Sequence, residues 1–202
     1  MSFSDYTLEE FVNELGSKSS TPGGGSTAGL GGALASSLAL MVIKLTKDSD
    51  LDKYTADLND MKSEALELID EDSESFDKVM SAFKLPKETE EEKEERSKEI
   101  QKALKGASIT PLNTMKLGLK VLEIAKEVAK EGNPNAASDV GVAGLMALST
   151  VKGGSYNVLI NAQSLKDEKV SKELKDEAND IIAKAEKLAN EIEEITASKI
   201  SG

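Results

Sequence analysis

Pro22-Gly23-Gly24-Gly25-Ser26, continued by Ala28, Gly29, Leu30, Gly31, Gly32, Ala33, Leu34 and Ala35, lies inside a run from Ser19 to Ile43 that carries no charged side chain. In a sequence that is 31% charged, this stretch decides the fold. A backbone so poor in side chains approaches something closely, either a neighbouring helix or a ligand, because absent Cβ atoms allow contacts that larger residues forbid. Three glycines ahead of an expected helix start at Ser26 leave amide N–H groups free to meet an anion or a carbonyl. From Ala28 to Ile43, with Ser36 and Ser37 inside, the apolar part is short of the ~20 residues a membrane-spanning helix needs. It reads as a central helix buried on all sides.

Working outward, the pattern is helical throughout. Thr7-Leu8-Glu9-Glu10 has the form of a capping box, and Gly16 stops the helix it opens. A long helix is expected from about Lys53 to Phe83. A further one opens on the charge-dense face Glu88 to Lys98 and keeps helical spacing through Ile100, Leu104, Ala107, Pro111, Met115, Leu119 and Leu122. Pro111 is expected to kink it or split it in two. Glu131-Gly132-Asn133-Pro134-Asn135 is a stop, after which Ser138-Asp139 caps a second low-charge helix in which Lys152 is the only charge between Val140 and Leu165. The last helix, from about Asp167 to Ser198, carries the stripe Ala178, Ile181, Ala185, Leu188, Ile192, Ile195. No period-2 segment is present. The expected class is all-α, a helical bundle with two buried low-charge helices wrapped by long amphipathic ones, in one domain over residues 1–202 with no internal repeat or linker.

Composition narrows the chemistry. The 202 residues contain no Cys and no His, which removes thiolate and imidazole metal ligands, disulfides and the usual neutral-pH acid or base. A metal site is not expected. Catalysis must use carboxylates, lysines, hydroxyls, amides and backbone groups. The net charge of −12 opposes nucleic-acid binding, which depends on neutralising phosphates. The opening Met1-Ser2-Phe3-Ser4-Asp5 lacks the basic and apolar regions of a signal peptide, so a cytoplasmic protein without a membrane partner is expected.

Two polar anomalies stand out. The apolar face of the Lys53–Phe83 helix runs through Leu58, Met61, Ala65, Leu68 or Ile69, Phe76, Val79 and Phe83, and the position that continues it between Ile69 and Phe76 is Asp72. A core-facing carboxylate needs a partner. It either bonds a neighbouring helix end or works as an acid or substrate grip in an internal cleft. Asp70, Glu71 and Glu74 fall off the stripe and read as solvated. On the second low-charge helix, Thr150, Gly154, Asn157 and Asn161 form one polar stripe, whose amides serve either helix-to-helix hydrogen bonds or a ligand. Asp139 serves the helix dipole or holds a substrate. The glycine loop is neither a P-loop nor a dinucleotide fingerprint, since no Gly-Lys-Ser/Thr follows and no strand precedes it.

Taken in order, Pro22-Gly23-Gly24-Gly25-Ser26, Asp70-Glu71-Asp72 with Phe76, Leu85-Pro86-Lys87 with Glu92-Lys93 and Arg96, Pro111-Leu112, Gly132-Asn133 with Ser138-Asp139, and Asn157-Val158-Leu159-Ile160-Asn161 resemble the cyclodeaminase domain of formiminotransferase-cyclodeaminase and the stand-alone methenyltetrahydrofolate cyclohydrolases. The resemblance runs from about Thr7 to Ala189. It implies an all-helical cytoplasmic homodimer in folate one-carbon metabolism, needing no cofactor beyond its tetrahydrofolate substrate. The activity it favours is conversion of 5-formiminotetrahydrofolate to 5,10-methenyltetrahydrofolate and ammonia. The alternative is hydrolysis of the methenyl form to 10-formyltetrahydrofolate, and no residue distinguishes ammonia from water. A non-catalytic helical folate-binding or assembly module is a third reading. On the resemblance, Asp72 does the proton transfer and Asp139 partners it or anchors the pterin. Asn157 and Asn161 orient the one-carbon unit, and Asn133 and Ser138 are expected among the substrate-binding residues. The amides of Gly23, Gly24, Gly25 and Ser26 bind a folate carbonyl or carboxylate. Lys87 contacts the glutamate tail or assists proton transfer, or is simply a surface lysine. Arg96 is the only arginine, so no guanidinium patch can hold an anionic tail.

Overall fold

The computed structural model describes residues 2–202, and among them there is no strand. Six α-helices follow one another: α1 (Leu8–Leu15), α2 (Gly24–Lys44), α3 (Thr55–Phe83), α4 (Glu90–Glu131), α5 (Ala137–Gln163) and α6 (Glu168–Ser201). Short 3-10 turns at Phe3–Asp5, Asp50–Tyr54 and Pro134–Ala136 lead into α1, α3 and α5. The helix starts follow local chemistry. Thr7 and Glu10 complete the capping box of α1, Thr89 and Glu92 form another at α4, and the Asp167 side chain accepts the Lys169 and Val170 N–H groups at α6. Ser138 and Asp139 are not caps. The turn Pro134–Ala136, opened by Asn133 whose side chain accepts from Asn135 N–H, carries the chain into α5, and both residues fall in its first turn.

The low-charge helices α2 and α5 lie against each other, with α3 and α4 also packed on α2, and α4 and α6 on α5. One core, including Val42, Ile43, Leu58, Leu68, Met115, Leu122, Val151 and Ile192, joins α2 through α6. On α6 the buried stripe is Ala178, Ile181, Ala185, Ala189, Ile192 and Thr196. It drifts one residue from the expected stripe in the last two turns because an α-helix turns 3.6 rather than 3.5 residues. Ion pairs from Lys116 to Glu177 and Lys126 to Glu191 join α4 to α6, and Lys152, the lone charge of the α5 core segment, pairs with Glu186 at 2.7 Å.

Three expectations need correction. α2 begins at Gly24, so two glycines belong to its first turn, and at 21 residues it is long and apolar enough to cross a membrane by length and composition. The argument from shortness therefore fails; in this fold 67% of that apolar window is buried inside the protein. Pro111 does not split α4, which runs unbroken for 42 residues. Phe76 and Phe83, assigned to the core face of α3, are 37% and 46% exposed and line a cleft.

Glycines of α4 separate packing from propensity. A Cβ on Gly118 would come within 2.9 Å of Val151 and 3.1 Å of the Ala147 carbonyl oxygen, whereas one on Gly106 meets nothing within 4 Å. Gly106→Ala is therefore expected to raise Tm by about 2–4 °C through helix propensity. Gly118→Val is expected to lower it, by roughly 2–10 °C for about 1–3 kcal/mol of overpacking. Thermal melts followed by circular dichroism check both signs.

Candidate active site

Four helices meet at a cleft of about 450 Å³. The N-terminus of α2 supplies Gly23, Gly24 and Gly25, and α3 supplies Asp72, Ser75, Phe76, Met80 and Phe83. Leu104 and Ala107 come from α4, and Asn157, Ile160 and Asn161 from the C-terminal half of α5. A larger groove of about 810 Å³ lies along the α3–α4 pair, bordered by Glu71, Glu74, Lys78, Glu99 and Lys102. Its charged residues are exposed apart from the half-buried Glu99. The smaller cleft is the candidate, because a desolvated carboxylate, a helix N-terminus and two amides converge there on an apolar wall.

Asp72 is the centre. Its Oδ2 accepts the Ser26 backbone N–H at 2.9 Å and lies 3.1 Å from the Ser26 hydroxyl. That hydroxyl is also 3.0 Å from the Ile69 carbonyl oxygen and 3.2 Å from Ser73 Oγ, and has one proton for all of them. The backbone bond is the constant one, and it ties the carboxylate to the positive end of α2. Burial pushes the Asp72 carboxyl above the ordinary 3.8, and the two Ser26 hydrogen bonds only partly oppose it. Oδ1 lies where a Gly25 side chain would begin: a Cβ there would collide with the carboxylate. Glycine at position 25 is what lets the helix start and the acid share this space.

Two residues away the balance reverses. Asp70 is partly desolvated, yet hydrogen bonds from Ser2, the Phe3 backbone and Ser4 hold its carboxyl below the ordinary range. It was expected to be solvated; instead it fastens the N-terminal 3-10 turn to α3, the Phe3 N–H donating at 2.6 Å.

On α5, Asn157 Nδ2 donates to the Gly153 carbonyl at 3.0 Å and stands 3.7 Å from where a Gly24 Cβ would be. Asn161 Nδ2 donates to the Ala107 carbonyl at 2.8 Å. The polar stripe is thus divided, for Thr150 is fully buried and bonds back to the Met146 carbonyl, and Gly154 packs on Met115.

The remaining candidates lie elsewhere. Asp139 and Ser138 are in the first turn of α5, about 27 Å along the helix from Asn157. Asn133 donates through Nδ2 to the Leu45 carbonyl and through its N–H to Thr46 Oγ1, so it fastens the far end of α2. Lys87 is exposed in the turn between α3 and α4, just beyond Phe83. Sequence reasoning missed Phe76, Met80 and Phe83 as cleft wall, since a helical stripe does not say where a core ends and a cavity begins. It missed Arg96 as well: the guanidinium caps α3 by donating to the Phe83 carbonyl at 3.1 and 3.3 Å. Among the described residues no group of three or more acidic side chains converges as a metal site would require.

The model of the formiminotransferase-cyclodeaminase family matches residues 7–180. A methenyltetrahydrofolate cyclohydrolase of Methylorubrum extorquens is 39% identical over 96% of this chain and 98% of its own length. The formimidoyltransferase-cyclodeaminase of Rattus norvegicus is 33% identical over 81% of this chain, which spans only 32% of that longer protein. Among solved structures, a formiminotetrahydrofolate cyclodeaminase of Thermotoga maritima superposes with a TM-score of 0.87 at 25% identity, covering 97% of this chain and 98% of its own.

A carboxyl whose pKa rises on folding contributes stability that is complete below the unfolded value and is lost as pH climbs through the folded one. For Asp72 that window opens at 3.8 and closes at the raised folded value. Asp72→Asn removes the dependence, so the variant is expected to match or exceed the wild-type Tm at pH 8, with its relative advantage shrinking toward pH 4. Paired melts at the two pH values read the sign.

Proposed function

The chain belongs to the formiminotransferase-cyclodeaminase family, and from that premise we propose that it is a folate one-carbon enzyme acting on the carbon that bridges N5 and N10 of tetrahydrofolate, as a methenyltetrahydrofolate cyclohydrolase. The observation that carries this reading is Asp72, a partly desolvated carboxylate that lines the cleft and is held through one oxygen by the Ser26 N–H. The sequence favoured the cyclodeaminase. The end-to-end match with the Methylorubrum cyclohydrolase supports the hydrolase more strongly, at 39% identity over 98% of that protein. Cyclodeamination is the second reading, supported by the equally complete superposition on the Thermotoga cyclodeaminase.

The geometry fits the hydrolysis. The Asp72 carboxylate takes a proton from water as the water oxygen attacks the methenyl carbon. The resulting tetrahedral centre loses its bond to N5, and the proton passes from Asp72 to N5 while the second water proton leaves to solvent. In cyclodeamination the formimino group enters as its protonated amidinium, and the same carboxyl takes the N10 proton and delivers it to the amino group that departs as ammonia. Burial suits Asp72 to both directions by bringing its pKa closer to neutrality. The free N–H groups at the start of α2 receive a folate carbonyl, and Phe76 and Phe83 offer faces for the flat rings. Lys87, beyond Phe83, is placed for an anionic tail that leaves the cleft at that end; on a chain of net charge −12 such an attraction is local and salt-sensitive. No cofactor beyond the folate is proposed, and the setting proposed is the cytoplasm, without nucleic-acid or membrane partners.

A homodimer is part of the proposal. α2 leaves Leu34 and Met41 exposed, and α5 leaves Val142, Leu145, Tyr156 and Ile160. On an acidic chain these uncharged stripes are where a second copy can approach without repulsion. Asp139, Ser138 and Asn133 would reach a cleft only from such a copy.

Purified protein supplied separately with methenyl- and 5-formiminotetrahydrofolate, followed at the methenyl absorbance band with ammonia measured in parallel, decides the reaction. Loss of the band from the first substrate is expected. Formation of the band with ammonia from the second would establish the cyclodeaminase, and silence with both would remove the enzyme reading. Asp72→Asn is expected to lower kcat by ~100- to 10,000-fold with the fold intact. The acid limb of kcat/KM should lie above the ordinary carboxylate value, activity falling as pH drops through it. Leu145→Glu with Tyr156→Glu should give a monomer by light scattering.

A further inference from the structure

Pro111 has no N–H to offer the carbonyl of Ala107, one turn earlier in α4, and proline is the least favourable residue in a helix interior. α4 nonetheless continues through it. The carbonyl left without its helical partner is the one to which Asn161 donates, at 2.8 Å. α5 comes very close here: a Cβ on Gly154 would lie 3.0 Å from the Pro111 carbonyl oxygen and 2.9 Å from Met115. Ala107 and Asn161 both line the cleft that holds Asp72. A destabilising residue, a missing backbone donor and a site amide thus meet at one point.

We propose that Pro111 is a positioning residue of the active site: by removing one N–H from α4 it frees the Ala107 carbonyl to grip the Asn161 amide by its nitrogen, fixing Oδ1 as a hydrogen-bond acceptor for the substrate. The amide cannot turn over, because Oδ1 would then face the Ala107 oxygen with no proton between them. An unrestrained asparagine accepts or donates as its ligand requires, whereas this one has its polarity set before binding. Asn157, its nitrogen on the Gly153 carbonyl of its own helix, likewise has that nitrogen engaged and its Oδ1 left to accept. Two fixed amide oxygens suit an edge rich in N–H groups. Resting on the folate reading, the edge assigned to them is the 2-amino and N3–H side of the pterin, which leaves Asp72 for the bridging carbon.

The test is a double-mutant cycle of Pro111→Ala and Asn161→Ala, read by Tm and by kcat/KM on the active folate. The same reading is made on its analogue with the 2-amino group replaced by oxo. Pro111→Ala restores the helical bond to Ala107, so Tm is expected to stay level or rise while kcat/KM falls about 10-fold or more and discrimination against the oxo analogue weakens. Asn161→Ala should lower Tm by leaving the Ala107 carbonyl bare. Adding Pro111→Ala should recover Tm with no further loss of kcat/KM. Should Asn161→Ala fail to fold, folding of the double variant is the same result. The proposal is overturned if Pro111→Ala keeps wild-type kcat/KM and discrimination, or if the two substitutions act independently. Wild-type protein inert toward both folates would instead overturn the functional reading, and the Tm cycle would still decide whether residues 111 and 161 are coupled.

Discussion

Three glycines within four residues of α2 face three different helices. A Cβ on Gly29 would come within 3.1 Å of the Ala65 carbonyl oxygen on α3, one on Gly31 within 2.8 Å of Thr150 on α5, and one on Gly32 within 2.9 Å of Leu117 on α4. No other residue type allows one helix to touch three neighbours at such range, and the dense contact offsets the roughly 1 kcal/mol of helix propensity each glycine gives up. The absence of charge on these three faces follows, since none of them has room for a solvated ion. The seat of α2 then brings its free N-terminal amides against α3 at Asp72. A shift of α2 by the width of a methyl group would separate them.

The neighbouring acids of α3 show how local surroundings assign roles within one turn of helix. Asp70 receives several donors from the N-terminal turn and is held ionised, while Asp72 receives Ser26 alone, is more deeply buried, and shifts the other way. The sole arginine answers a different need: it closes the end of α3 and lies 5.8 Å from the centre of the Phe83 ring, steadying the cleft wall rather than meeting a ligand.

What the sequence disclosed was periodic or local. The helix order, the capping box at Thr7 and the buried nature of α2 follow from spacing and charge, and Asp72 announced itself as the one acid interrupting an apolar stripe. Asn157 and Asn161 were visible for the same reason. The box Thr89-Glu90-Glu91-Glu92 was equally legible and went unread. Other features depend on distance through space. Asp139 and Asn157 share a helix and their spacing alone holds them about 27 Å apart, but only the direction of α5 against α2 shows which of them meets Asp72. Pro111 looked like a helix breaker because its rescuer is 50 residues away in sequence, an amide on another helix filling the gap. A sequence pattern records the vacancy in a helix and the amide that fills it, without linking them.

α2 is held at both ends by unlike fastenings, the Asp72 carboxylate at its start and Asn133 at its finish. Between them lies a rigid strut about 31 Å long with no proline to absorb strain. The turn joining α4 to α5, at the opposite end of α2 from Asp72, is therefore one of the two contacts that fix the depth at which the first amides of α2 meet the acid.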